Sequence, residues 1–246
     1  MSRVLVILPA FNEEASVANV LQEVRTVLPE ADRVVVNDCS LDRTSDVARR
    51  TGALVLDLPV NLGIGGAMQT GYRFAAEKGY DFALQVDADG QHDPKEIPLL
   101  LNPVLEGKAD IVIGSRYLSE TGYRSPVMRR IGSWVFSLAV SAIVGKRITD
   151  TTSGFRAANQ RVIRFYAERY PQDYPEVEAV VMLHRAGLKF MEVPVQMQPR
   201  VGGDSSISSL KAVYYMIKVP LAIFIGLFRA GKVGHPPDDP SMGEQP

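Results

Sequence analysis

Cysteine is nearly absent: Cys39 stands alone in 246 residues. An internal disulfide and a cysteine-built zinc site are thereby excluded, and a reducing compartment fits. Net charge is scarce as well, at -1, so nothing points to nucleic acid, and small molecules or a membrane are the expected partners. No secretory leader is legible, because the apolar stretch 4–8 is too short for its core and runs into Pro9; it reads as a first strand. An apolar run of the roughly 20 residues that span a bilayer is also missing, and the stretch 219–228 supplies only about half of that. Internal repeats are absent, as is low-complexity sequence before the tail. What remains is ordinary in composition, 46% hydrophobic and 22% charged. That is enough chain for one α/β domain, or one domain with an appended segment, but too little for two comfortable domains.

The apolar spacing alternates between two periods. Residues 4–8 suit a strand covered on both faces, and Val17, Val20, Leu21, Val24 and Leu28 recur at helical spacing. The alternation continues with strand 33–36, helix 44–50, strand 54–57, helix 64–78, strand 82–86, helix 94–105 and strand 111–113. Such a pattern predicts a mainly parallel sheet with helices on both sides. Further on, a helix is expected at 160–169 and a strand at 189–195.

Sheets of this kind bind ligands outside the carboxyl ends of their strands, and the loops expected there are rich in polar residues. In Gln85-Val86-Asp87-Ala88-Asp89-Gly90-Gln91-His92 two carboxylates leave the end of an apolar strand together, and Asp93-Pro94 offers a cap and first-turn proline for the next helix. Hard oxygen ligands at Asp87 and Asp89 suit Mg2+ or Mn2+ shared with a substrate's phosphates, a mode that needs only one or two protein carboxylates. Four more loops join this one: Pro9-Ala10-Phe11-Asn12-Glu13-Glu14, Asn37-Asp38-Cys39-Ser40-Leu41-Asp42-Arg43-Thr44, Asn61-Leu62-Gly63-Ile64-Gly65-Gly66-Ala67, and Gly114-Ser115-Arg116-Tyr117. Any one could be bland, with Asn12 and Asp42 as helix caps and the glycines serving a tight turn and close packing. The glycine cluster lacks the dinucleotide-binding fingerprint spacing.

This set resembles the family 2 glycosyltransferases of GT-A fold, and within them the dolichyl-phosphate mannose and polyprenyl-phosphate glucose synthases. The resemblance implies a Rossmann-like α/β domain over 1–206. It implies that Pro9, Ala10, Asn12, Glu13 and Glu14 line the nucleotide base and ribose, that Asp38 meets the nucleotide beside Asn37, and that Gly65 belongs to the donor site. Asp87 and Asp89 would then carry the metal bridging the donor diphosphate, with Ala88 between them in the donor site, and Gln91 matches a glutamine that the prenyl-phosphate branch adds to the metal set. Asn37 stands where a second acid is usual, and Ile64 where a lysine is common. Asp150-Thr151-Thr152-Ser153-Gly154-Phe155-Arg156 resembles the family's Asp-x-x-Ser-Gly-Phe-Arg segment, which places Asp150 near the reacting carbon as base or acceptor-orienting group. Glu178 matches an acid preceding a helix in that branch, whereas Glu176 reads as a solvated helix start as readily as a functional group.

Sugar transfer through an oxocarbenium-like transition state leaves negative charge on the departing diphosphate. Arg116, Arg130 and Arg200 are candidates to share it with the metal through bidentate phosphate contacts. A hydroxyl acceptor needs a base such as Asp150; a phosphate acceptor, already anionic, does not. Arg124, Arg129 and Arg130 precede the apolar run 134–144, which reads as a buried helix or, by the resemblance, as the holder of a prenyl-phosphate acceptor. Inversion at the anomeric carbon is implied by the resemblance alone.

In the tail, cations at Lys211, Lys218, Arg229 and Lys232 mark a narrow polar stripe. Residues 207–232 are therefore expected to form an amphipathic helix on a cytoplasmic membrane surface, with a partner-associating or homo-oligomer-forming helix as the next alternative. Residues 233–246 read as a disordered tail. The function expected is a metal-dependent inverting hexosyltransferase acting from a nucleotide diphosphate sugar onto a polyprenyl phosphate, peripheral to the inner face of the cell membrane. The alternatives are a sugar hydroxyl acceptor in polysaccharide, glycolipid or metabolite synthesis, and a non-catalytic nucleotide-sugar-binding scaffold.

Overall fold

The computed structural model describes residues 2–118, 127–171 and 175–198. Seven strands form one sheet: β1 (Val4–Ala10), β2 (Asp32–Asn37), β3 (Leu54–Asp57), β4 (Phe82–Gln85), β5 (Ile111–Ser115), β6 (Arg156–Asn159) and β7 (Phe190–Pro194). Their order across the sheet is β3-β2-β1-β4-β6-β5-β7. All neighbours pair in parallel except β6, which runs antiparallel to both β4 and β5.

The seven α-helices described are α1 (Val17–Val27), α2 (Thr44–Arg50), α3 (Gly63–Glu77), α4 (Ile97–Leu105), α5 (Val127–Val144), α6 (Gln160–Glu168) and α7 (Pro175–Arg185). They cover both faces of the sheet because the strands are apolar on both sides. Val6, Leu8 and Val35 join α1, α2 and α4 in one buried cluster, while Leu5, Ile7, Val34 and Val36 join α3, α6 and α7 in another. That division follows from the two-residue period of side chains along a strand. A third, smaller cluster joins Ile113 to α5 and α7.

Three local expectations change. β1 runs two residues beyond Leu8, through Pro9 and Ala10. Ile7 is the last β1 residue paired with β4, so the N–H that Pro9 lacks falls where β4 pairing has already ended, and proline costs no ladder bond there. The helix expected at 94–105 starts as a 3-10 turn, Pro94–Glu96, with the Asp93 side chain accepting a hydrogen bond from the Lys95 N–H. The segment after Gly154, where no strand is expected, contains strand β6. Arg-Ala-Ala-Asn carries little strand propensity; pairing on both edges makes it a strand. The proposed boundary at 206, the helix 207–232 and the tail 233–246 lie outside the described residues.

Candidate active site

The antiparallel insertion of β6 builds the site. Arg156 pairs with Gln85 at the end of β4 and with Ile113 in β5, so the segment that leads into β6 crosses the carboxyl ends of both strands. Two clusters that are remote in sequence therefore meet. A Cβ added to Gly154 would lie 3.2 Å from both carboxylate oxygens of Asp87 and 2.7 Å from Gln85 Nε2. Glycine is required by this close approach.

Asp150, fully buried, forms a bidentate pair with Arg116: Nε donates to Oδ2 at 2.7 Å and Nη2 to Oδ1 at 2.8 Å. The Arg116 backbone N–H also donates to Oδ2, and Arg116 Nη2 donates to Thr152 Oγ1 at 2.6 Å. Thr152 returns its backbone N–H and hydroxyl to Asp150 Oδ1. Both carboxylate oxygens are thus occupied by donors, the environment of an ion-pair anchor more than that of a free base.

Asp87 and Asp89 follow β4 as expected. Asp89 Oδ1 accepts from the Gln91 N–H at 2.9 Å, closing the turn at Gly90, whose φ is 78°. The Ala88 side chain is buried in the core, so only its backbone is left to serve a ligand. His92 is buried beneath the pair: its Nδ1 accepts from the Asp87 N–H at 3.0 Å, its Nε2 lies 3.5 Å from Asp87 Oδ2, and its ring stacks on Phe155 at 4.7 Å. Burial pushes this imidazole down to about 4, against the opposing pull of Asp89. Among the described residues no three His, Cys, Asp or Glu side chains are grouped to hold a metal. Two hard carboxylates at a strand end fit a divalent cation whose remaining ligands come from phosphate and water.

The first and second loops are knitted to each other. The Asn12 N–H donates to Ser40 Oγ, and Asn12 Oδ1 accepts from the Leu41 N–H at 2.8 Å. The Glu13 N–H donates to Thr44 Oγ1, and Glu14 exchanges bonds with Asp42 and Arg43. Asn12 therefore ties two loops together and caps no helix. Pro9 and Ala10 are buried at the end of β1. Asp38 is buried, with Oδ1 accepting from the Leu62 N–H at 2.7 Å, so it joins the second loop to the third. Asn37 donates to Asp57 Oδ1. Gly65 is buried inside α3, and Ile64 is exposed.

Glu176 was the site feature least legible in the sequence. Burial raises its pKa against the opposing charge of Arg156, and Asp87 raises it further while Arg116 lowers it; the half-buried helix start thus belongs to the electrostatic neighbourhood of the two clusters. The signal available was a carboxylate two residues before Glu178 in the first turn of α7. Arg130 falls within α5 and its side chain lies outside the described ones; Arg200 lies outside the described residues altogether. Beside the Arg116–Asp150 pair opens a cavity of about 1030 Å3, lined by Tyr117, Trp134, Leu138, Ala142, Ile148 and Thr149 among others.

The model of the family described as Glycosyl transferase family 2 matches residues 5–169. An undecaprenyl-phosphate mannosyltransferase of Micrococcus luteus is 36% identical over 215 residues, covering 84% of this chain and 88% of its own. A polyprenol monophosphomannose synthase of Mycolicibacterium smegmatis is 29% identical over 227 residues, covering 88% and 85%. Among solved structures, glucosyl-3-phosphoglycerate synthase from Mycobacterium tuberculosis, crystallised with Mn2+, UDP and glucosyl-3-phosphoglycerate, superposes with a TM-score of 0.72 at 19% identity, covering 95% of this chain and 82% of its own. That last likeness concerns the fold. The chain belongs to glycosyl transferase family 2, with the GT-A fold, and the expectation of a hexosyltransferase is met.

Proposed function

We propose that the protein transfers a hexose from a nucleotide diphosphate sugar to a polyprenyl phosphate, with inversion, using Mg2+ or Mn2+ at Asp87 and Asp89. The observation that carries the acceptor is the apolar cavity beginning at Tyr117 and Thr149, next to the Arg116–Asp150 pair, with Trp134 and Leu138 exposed along it and Lys146 and Arg147 at one end. An isoprenoid chain suits such a wall, with its phosphate at the Arg116 end beside the donor; Lys146, bonded to the Phe190 carbonyl at the start of β7, lies toward the far end.

In this reading the knitted loops after β1 and β2 hold the nucleoside, with Pro9, Ala10, Asn12, Glu13, Glu14, Asn37, Asp38 and Gly65 around it. Asp87, Ala88 and Asp89 face the diphosphate, with Gln91 as a further oxygen donor. A divalent cation there, when bound, supplies Lewis-acid stabilisation of the leaving diphosphate. Arg116 brings a guanidinium to the same edge of the sheet, preorganised by Asp150, so positive charge stands ready where negative charge develops. Arg130 and Arg200 are further candidates for phosphate. No base is needed, because an anionic phosphate oxygen attacks the anomeric carbon directly, and this agrees with an Asp150 whose oxygens are both occupied. A hydroxyl acceptor would instead need a base such as Asp150, whose oxygens already accept from Arg116 and Thr152.

Among the described residues no helix is long and apolar enough to cross a membrane. We place the enzyme at the inner face of the cell membrane, where the polyprenyl phosphate is presented, with residues 207–232 as a surface-binding or oligomer-forming helix. The test is incubation of the purified protein with radiolabelled uridine, guanosine and thymidine diphosphate sugars, Mn2+ and undecaprenyl phosphate. Label entering the organic phase, and lost on chelation, is expected with one donor. Label that enters only a sugar-bearing acceptor would overturn the assignment.

A further inference from the structure

Glu192 lies behind the Arg116–Asp150 pair and touches neither the cavity side of Arg116 nor the Asp87 carboxylate in any described contact. It sits in β7 opposite Ile113 of β5. Its carboxylate gathers donors from one short stretch. The Thr149 N–H donates to Oε2 at 2.8 Å and to Oε1 at 3.0 Å, the Asp150 N–H to Oε1 at 2.8 Å, and the Thr149 hydroxyl to Oε1 at 3.1 Å. The Thr149 and Ser115 hydroxyls are 2.7 Å apart, and Ser115 Oγ accepts from the Tyr117 N–H. These bonds have one consistent direction: Tyr117 N–H to Ser115, Ser115 to Thr149, Thr149 to Glu192. Oε1 ends that chain and accepts from both backbone N–H groups, and Oε2 shares the Thr149 N–H, so a carboxylate with no donor of its own serves all three groups.

The consequence is mechanical. Arg116 is flanked by Ser115 and Tyr117, both held through this chain, and its guanidinium is gripped by Asp150, whose backbone N–H is held by Glu192. We propose that Glu192 is a positioning residue for sugar transfer, fixing Thr149 and Asp150 so that the Asp150 carboxylate presents the Arg116 guanidinium to the donor diphosphate. This rests on the role given to Arg116 above. A half-buried carboxylate so close to Asp150 is costly to maintain, and burial raises its pKa despite the three donors from Thr149 and Asp150. A core needing only bulk at this position would be better served by an apolar residue.

Glu192→Gln keeps shape and volume but replaces one acceptor oxygen by an NH2 group, which faces the Thr149 N–H when the amide oxygen keeps the Oε1 position, and removes the charge that holds the three donors. A slight misplacement of a catalytic group is enough to slow a reaction by one to two orders of magnitude, so a loss in kcat of about tenfold or more is expected. Binding of the free nucleoside, which lacks the diphosphate assigned to Arg116, should stay within about twofold when measured calorimetrically, whereas binding of nucleoside diphosphate with Mn2+ should weaken no more than in Arg116→Lys. Glu192→Gln combined with Arg116→Lys should be no slower than Arg116→Lys alone. A direct readout needs no turnover: the Arg116 Nε–H resonance, assigned by its disappearance in Arg116→Lys, should be protected from exchange in the native protein and lose that protection in Glu192→Gln. Unchanged protection and kcat in Glu192→Gln would overturn the proposal. So would parallel losses of nucleoside binding and melting temperature, which mark a general structural role, and so would rate effects of the two substitutions that simply multiply. If the native protein transfers no sugar to any polyprenyl phosphate, the functional reading fails, while the resonance still decides the fate of Glu192.

Discussion

At position 37 an amide does what a second carboxylate could not. Asn37 Nδ2 donates to Asp57 Oδ1 at 2.8 Å, and Asn37 Oδ1 accepts from the Ser40 N–H. Burial tends to raise the Asp57 pKa, but hydrogen bonds from Arg49, Asn37 and Ser45 outweigh it and hold the carboxyl below its usual value. An aspartate at 37 would set two like charges within hydrogen-bonding distance. His92 makes the same kind of point about protonation. With Nδ1 accepting from the Asp87 N–H, the neutral ring carries its proton on Nε2, facing Asp87 Oδ2. The folded value of about 4 lies below the roughly 6.5 of an unfolded histidine. Between these values the unfolded chain binds more protons than the folded one, so this contribution to stability is complete above pH 6.5 and is lost as pH falls toward 4. Thermal melts in chelator should show the native protein's advantage over His92→Asn shrinking across that interval. An advantage independent of pH would show that His92 does not titrate there.

Elements are held together by close approach as much as by apolar area. Helix α3 lies on β1 through Gly71, where an added Cβ would stand 2.4 Å from Ile7 Cγ2. Neighbouring Tyr72 packs its ring 5.0 Å from Tyr166 and 5.6 Å from Tyr170, joining α3 to α6. Because Ile7 is fully buried in a central strand, the extra methyl has nowhere to go. Gly71→Ala is expected to destabilise the fold by about 1 to 3 kcal/mol, the usual cost of overpacking, and urea unfolding monitored by circular dichroism measures it. The periodicity that predicts α3 also marks this face as buried, but it cannot show that the partner is a strand more than sixty residues earlier in the chain.

For the molecule as a whole, the donor and acceptor sides of the proposed reaction are separated. The knitted loops and Asp87 stand on one side of the Arg116–Asp150 pair, and the apolar cavity opens on the other. Trp134 is 65% exposed and Leu138 is 58% exposed, and each apolar side chain fully buried by a lipid is worth about 1.5 to 3 kcal/mol. Replacing both with serine should raise KM for undecaprenyl phosphate roughly tenfold or more, allowing for partial burial. A short-chain prenyl phosphate that does not reach the wall should be affected little. Steady-state kinetics on the two acceptors distinguish this from a general loss of activity, which would lower both equally.

Local chemistry was legible in the sequence: the strand–helix alternation, the polar loops at strand ends, the Asp87/Asp89 pair and the Asp150 segment all depend on residues close together in the chain. Each strand is apolar on both faces, so a sheet with helices on both sides followed without any knowledge of contacts. Strand order and direction were not legible, because they depend on pairing between distant segments. Only the tertiary structure decided that β6 turns antiparallel between β4 and β5. That one reversal brings Asp150 onto Arg116 and Gly154 against Asp87, and it leaves Glu192, which no motif singles out, holding the backbone behind them. The sequence by itself determined which groups could do chemistry; the long-range hydrogen bonds of the sheet determined which of them meet.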